Sequence, residues 1–183
     1  MEQIRDLLDL ENSMTQLNKA SSYEPTMITV TAASEVYYLI DKASNNRVVS
    51  DNSFNERSSL SHSIFQLLVT SKHTQKNISL EGAINLIDLA GSERLHKSGS
   101  KSKQILIESR SINKSLSCLK DVIKSLANND SHIPYRNSKL TYVLQPHLSS
   151  KSSKVLMMVN ASPLTCHIPE TVNSLRFASE VNS

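Results

Sequence analysis

The sequence predicts an α/β fold with a largely parallel central sheet, and three observations carry that expectation. Stretches of strand-like alternation and β-branched residues are interspersed with stretches of helical period. The strands of the second half are nearly continuous apolar runs, which suits parallel strands covered by helices on both faces. One of them, INLIDL (84–89), ends in an acid with a glycine close behind, at the carboxyl end of a strand where open α/β folds bind ligands.

Taken in order, TMITV (26–30), HSIFQLLVT (62–70), GAINLIDL (82–89) and KVLMMVN (154–160) read as strands. ASEVYYLIDKASNNRVV (33–49) reads as a helix with Val36, Leu39, Ile40 and Ala43 on one face. A longer helix runs through Ile112, Leu116, Leu119, Ile123 and Leu126, whose steps of four, three, four and three make one apolar stripe and leave Lys114, Lys120 and Lys124 on other faces. NNDSHIPYRNSKLT (128–141) breaks that helix with Asn, Asp and Pro and restarts one near Ser138. PETVNSLRFASEVN (169–182), opened by a proline, is the last helix. No repeat or linker divides the 183 residues, so one domain is expected.

With 38% hydrophobic residues and no apolar run of membrane-spanning length, the chain is expected to be soluble, and MEQIRDLLDLEN at its start lacks the apolar core of a signal peptide. An intracellular location follows. Cys118 and Cys166 stand far apart, outside any metal-ligand spacing, and read as reduced thiols. The net charge of +3 is unevenly spread: residues 91–154 hold twelve lysines and arginines against four acids, a net of +8, which leaves −5 for the rest. Nucleic acid, an anionic membrane and an acidic protein surface are all eligible partners on charge alone, and a solvated basic face accounts for it equally well.

Asp88, at the end of its strand, can hold a Mg²⁺-bound water, and Gly91 can offer a backbone N–H to a phosphate because no side chain blocks the approach. A plain strand-to-helix turn explains the same residues. Upstream, Ser58 and Ser59 offer hydroxyls to a metal or phosphate, with Asn55 and His62 placed to fix the loop. A serine-rich turn is the alternative.

NERSSLSHS (55–63), DLAGSER (88–94), SINKSLSCL (111–119), HIPYRNSKLTYVL (132–144) and SLRFASEVNS (174–183) occur in one order and spacing that together resemble the kinesin motor domain. They are most similar to the kinesin-14 class of fungi, whose motor is C-terminal. The resemblance implies the C-terminal half of a P-loop NTPase-like, three-layer αβα fold with a mainly parallel sheet. It makes Asn55 to His62 switch I, with Ser58 and Ser59 at positions that contact phosphate and Mg²⁺, and Asp88 to Glu93 switch II. Asn55, Ser58, Ser59, His62 and Asp88 are then the nucleotide-binding residues, Ser59 and Asp88 those nearest the metal, and Gly91 and Glu93 the catalytic pair, with Gly91 sensing the γ-phosphate. The tubulin-facing surface would carry Lys97, Lys101, Lys103, Lys114, Lys120, Lys124, Arg136 and Lys139. The +8 segment coincides with that surface, so charge and resemblance select the same partner, the microtubule, over nucleic acid or membrane.

Two departures bear on activity. A P-loop needs G-x-x-x-x-G-K-[ST] so that backbone N–H groups wrap the phosphates and the lysine reaches them. The three glycines here, Gly82, Gly91 and Gly99, supply no such run, and Gly99-Ser-Lys-Ser102 lacks the upstream glycine and the strand. The resemblance puts the P-loop in the half that precedes EQIRDLL. Second, Leu60 stands where the family has an arginine that pairs with Glu93, which removes a charge-assisted contact. Lys120 is a third departure, at a position usually occupied by glycine. The expectation is a motor-domain fragment over residues 1–183 that binds microtubules with its ATPase lost and no cofactor of its own. The alternative is an ATP-dependent microtubule motor whose P-loop half lies upstream, with Mg-ATP as cofactor. Another kinesin chain is a further candidate partner, and the cytoplasmic microtubule cytoskeleton, spindle included, is the expected location. Without the P-loop strand, the strands at 82–89 and 154–160 are expected to lack the neighbour they share, with unpaired edges as the result.

Overall fold

The computed structural model describes residues 4–9, 25–49, 61–76, 78–92, 103–150 and 152–181. These fall into two compact units, one holding described residues 6–9, 26–49, 61–76 and 78–90, the other 4–5, 25, 91–92, 103–150 and 152–181.

The first unit contains helix α1 (Ala33–Val49) and the strands β1 (Ser63–His73) and β2 (Ile78–Asp88). Helix α1 has the predicted limits. Glu35, in its first turn, reaches back to accept the N–H groups of Thr31 at 2.6 Å and Ala32 at 3.1 Å, satisfying donors that a helix start leaves orphaned. Those bonds hold the Glu35 carboxyl below its usual range. Strands β1 and β2 pair from Ser63↔Asp88 to His73↔Ile78, and the ladder runs past the predicted strands into the polar residues Ser71–His73 and the alternating Ile78–Glu81.

The fold class is α/β, yet the sheet among the described residues has two strands and is antiparallel, where a mainly parallel one was expected. The connection explains it: only four residues separate β1 from β2, enough for a hairpin, whereas a parallel pair needs a crossover of a dozen or more. TMITV (26–30) and KVLMMVN (154–160), read as strands, belong to no ladder. Alternation makes a strand only when a neighbouring backbone takes its hydrogen bonds, and no described strand does so for either segment.

The second unit is built on helix α2 (Lys103–Ala127), against which pack α3 (Lys139–Leu148), α4 (Ile168–Val181) and the 3₁₀ turn Tyr135–Asn137. The buried line on α2 is Ser109, Ile112, Ser115, Leu119 and Val122, with Cys118 beside it, while Leu116, Ile123 and Leu126 are half-buried. The predicted stripe is therefore rotated toward its serine side. Serine is small enough for close packing, and Ser115 Oγ donates to the Ile112 carbonyl at 2.7 Å, so its polarity is satisfied inside the helix.

Helix α2 ends in a Schellman motif: Asp130 N–H bonds to Ser125 O at 2.9 Å, Asn129 N–H bonds to Leu126 O at 3.1 Å, and Asn129 takes a left-handed φ of 55°. Ser138 then caps α3, its Oγ accepting from Thr141 N–H at 3.1 Å. Thr141, fully buried, donates its hydroxyl to Tyr135 O at 2.7 Å, which fastens the cap to the preceding turn. No helix among the described residues is long and apolar enough to cross a membrane.

Candidate functional site

Two groups of predicted residues come into view. The first lies at the open end of the hairpin, opposite its connection, where β1 begins and β2 ends. Asp88 closes β2, and its Oδ2 accepts from Arg47 Nη1 at 2.9 Å. Arg47 sits in the last turn of α1 and also donates from Nη2 to Ser61 O at 2.8 Å and from Nε to Ser61 Oγ at 3.3 Å. Next to Ser61, His62 accepts the Ala90 N–H at Nδ1, 3.1 Å away, so the proton of the neutral ring is on Nε2. The structure places Asp88 and His62 at the same end of the hairpin, Asp88 paired with Ser63 and His62 with Ala90. It adds Arg47, which sequence reasoning treated only as a helical residue; its one visible signal was a cation in a helix's last turn.

The N-terminal segment joins the same corner. Asn46, beside Arg47, donates from Nδ2 to Leu7 O at 2.7 Å. Asp6 in turn accepts the N–H groups of Leu8 at 2.9 Å, Asp9 at 3.3 Å and Thr26 at 2.7 Å. Burial pushes the Asp6 carboxyl up, but the bonds from Thr26, Leu8 and Asp9 outweigh it and hold the group below its usual range.

A Mg²⁺ ion seeks several oxygen ligands in near-octahedral order. Asp88 alone, with one oxygen taken by a guanidinium, does not fit that demand, and no cluster of three or more His, Cys, Asp or Glu among the described residues could hold a metal. Asn55, Ser58, Ser59 and Glu93 lie outside the described residues, as do Leu60, Lys97 and Lys101. Gly91 follows Ala90 in irregular backbone, half-buried.

The second group is the basic face. Exposed positions on α2 recur as Ile107, Arg110, Lys114, Ser117, Asp121 and Lys124, opposite the buried line, so three cations share a stripe with one acid. Arg136 is exposed on the turn before α3. Lys103 opens α2. Lys120 and Lys139 are half-buried and each is engaged with a neighbour. Arg110 is the cation that the sequence reading left out of this face, although the helical step from Lys114 pointed to it.

Comparison with known proteins agrees with the motifs. The kinesin motor domain model matches residues 1–183. Kinesin-related protein 2 of Dictyostelium discoideum is 51% identical over 158 residues, 86% of this chain and 20% of the relative. Kinesin-like protein KIN-14N of rice is 44% identical over 195 residues, covering 100% of this chain and 25% of the relative. Among solved structures, the C-terminal motor and motor homology domain of Kar3Vik1 fused to a synthetic heterodimeric coiled coil superposes with a TM-score of 0.75 at 46% identity, over 87% of this chain and 41% of that one. A fast kinesin, described for its ATPase mechanism and interactions with microtubules, gives 0.72 at 38% identity, over 85% and 44%. The chain therefore spans a quarter or less of the two curated relatives and under half of each solved motor chain. A family model matched from first residue to last, with relatives up to 51% identical, leaves one conclusion: this chain belongs to the kinesin motor-domain family, close to its kinesin-14, Kar3-like C-terminal motors.

Proposed function

We propose that residues 1–183 form part of one kinesin-14-type motor domain whose role is to bind microtubules, and that these residues alone do not hydrolyse ATP. The observation that carries the reading is the exposed stripe of Arg110, Lys114 and Lys124, with Arg136 on the same unit, inside a segment of net charge +8. Such a face suits the acidic surface of tubulin in the cytoplasmic cytoskeleton, spindle microtubules included. Loss of hydrolysis is argued from chemistry. Phosphoryl transfer depends on positioning, and the 183 residues contain neither a phosphate-wrapping glycine run nor, with Leu60 in switch I, the arginine that would pair with Glu93.

Co-pelleting with microtubules tests it. Binding should fall steeply with salt, because charges on a wet surface are screened over roughly 8 Å at physiological ionic strength. Joint reversal of Lys114, Lys124 and Arg136 to glutamate should abolish pelleting, while reversal of the exposed Lys72 and Lys76 in the other unit should leave it intact. Equal loss from both sets overturns the reading.

The short span relative to the curated relatives favours a second reading: an ATP-dependent microtubule motor in which a P-loop supplied from outside these residues completes a Mg-ATP site. Calorimetry separates the two. The chain as given should bind ATP no tighter than about millimolar, since isolated switch residues supply only a few phosphate contacts. Pairing with another kinesin chain, as in the heterodimeric Kar3Vik1 assembly, is compatible with either reading.

A further inference from the structure

We propose that Ser162 is a phosphorylation site for a proline-directed protein kinase, and that His167 holds the phosphate once it is attached. Of the prolines Pro25, Pro134, Pro146, Pro163 and Pro169, only Pro163 follows a serine or threonine. Kinases of this class select a proline after the acceptor because its ring fixes φ and it has no N–H to leave unbonded in their cleft. Access is the second requirement. Residues 153–164 belong to no helix and to no ladder among the described residues. Ser162 is half-buried, while Ala161, Pro163 and Leu164 beside it are exposed. A kinase can take up such a segment without breaking a helix or a strand pair.

The structure also supplies a receiver for the new charge. Ser162 Oγ lies 2.9 Å from His167 Nδ1 and accepts the Leu164 N–H at 3.3 Å, while the Ser162 carbonyl accepts the Thr171 hydroxyl at 3.2 Å. The serine is thereby tied to the 3₁₀ turn Thr165–His167 and to helix α4. With the ring neutral and its proton on Nε2, the Ser162 hydroxyl hydrogen satisfies Nδ1. Phosphorylation removes that hydrogen. Ser162 Oγ attacks the γ-phosphorus of ATP, the bond from that phosphorus to its bridging oxygen breaks, ADP leaves, and the hydroxyl proton passes to the base of the kinase. Oγ becomes an ester oxygen with three phosphate oxygens beyond it, all acceptors in the dianion. Nδ1 must then become a donor, and a protonated imidazole donates from it while keeping its Nε2–H. Glu170, in the first turn of α4, opposes the phosphate, and the imidazolium offsets that repulsion. A neutral serine–histidine pair is exchanged for an ionic one, which tightens the turn leading into α4.

The test treats the full chain with a cyclin-dependent kinase and Mg-ATP and maps the product by mass spectrometry. Phosphate is expected on Ser162, and Pro163→Ala should lower its incorporation there by at least about tenfold. The phosphorylated chain is then titrated by ³¹P NMR beside a phosphorylated peptide of residues 158–165, which ends before His167. The phosphate on the chain should take its second charge about half a pH unit lower than the one on the peptide. His167→Ala should erase that difference, and His167→Arg, which supplies a fixed cation, should restore it. Amide exchange in α2 reports that each variant has folded. If the chain takes no phosphate at Ser162, the fold withholds the site and the proposal falls. It falls equally if the phosphate titrates as it does on the peptide, or if His167→Ala leaves the displacement in place. None of these outcomes depends on microtubule binding or on ATP hydrolysis by the chain itself.

Discussion

The helical unit and the hairpin unit reach order by opposite means. Of the buried apolar residues among the described ones, Ile112, Cys118, Leu119, Val122, Tyr135, Leu140 and Leu144 belong to the helical unit and only Ala90 to the other. The hairpin exposes Leu68, Leu80, Ile84 and Leu86, each more than half accessible, and is pinned at its open end by polar contacts from Arg47 and His62. A helix closes its backbone hydrogen bonds internally and needs cover on one stripe only; a strand needs a neighbour on each edge and cover on each face. Val155, Leu156 and Met158 make the same point within the helical unit, since the unladdered segment there is as uncovered as the hairpin. The two kinds of element therefore differ in how much of the rest of a domain they require.

The sharpest test of that difference is a matched pair of truncations. Leu144 is 2% exposed, wedged where α3 meets α2, and Leu144→Ala should destabilise the helical unit by about 2–5 kcal/mol through lost transfer energy and the cavity left behind. Leu80, 68% exposed on β2, should change stability by no more than about 0.5 kcal/mol when cut to alanine. Urea unfolding followed by far-UV circular dichroism measures both. A large effect at Leu80 would mean that its face is covered.

Next in size is the cap of α3. Ser138→Ala removes the acceptor for Thr141 N–H and should destabilise by about 2 kcal/mol, at the upper end of the range for caps because Thr141 is fully buried and its amide would find no water. Ser138→Asp, which restores an acceptor at the N-cap, should recover most of the loss in the same urea assay.

These elements also mark what could be read from residues alone. Helix α1 was legible to its limits because Glu35 and the apolar period act within one segment, and α3 because Ser138 is a local cap. The buried line of α2 was misplaced by one side, since the serines that pack there look polar, and only the structure shows the Ser115 hydroxyl bonded one turn back. Strands at 26–30 and 154–160 were not legible, because a ladder is a property of two segments and alternation belongs to one. Asp88 and His62 were singled out through their motifs. Arg47 was not: its acceptors lie 14 and 41 positions away in sequence, and no local pattern reports such a contact.

A smaller, pH-dependent effect separates the hairpin unit from the helical one. The Asp6 carboxyl is held below its usual range in the folded chain, so its contribution is fully present above the ordinary aspartate pKa and is lost as pH falls through the lower folded one. The protection of the Thr26 amide, relative to its intrinsic exchange rate at each pH, should fall on acidification through that window, ahead of that of the α2 amides, and Asp6→Asn should remove this fall. A parallel fall in α2 would show that the two units unfold together.

The smallest expected effect decides whether the hairpin face is open in the folded protein. Gly82 lies inside β2 opposite Val69, and a Cβ built there meets nothing within 4 Å. Glycine weakens a strand interior because its backbone loses more freedom on folding and it has no side chain to pack against its cross-strand partner. Gly82→Val supplies a β-branched neighbour for Val69 and should stabilise the hairpin by about 0.5 kcal/mol, within the range of cross-strand pairs. The sign carries the information. On an uncovered face the added methyls meet solvent and Val69, and exchange at residues 67–71 slows. Where another polypeptide packs closely over β2, the same methyls would be forced against it, and the substitution would destabilise by about 1–3 kcal/mol as overpacking does. Measured on the chain as given and again in any complex it forms, the change from slower to faster exchange would locate the partner on this face.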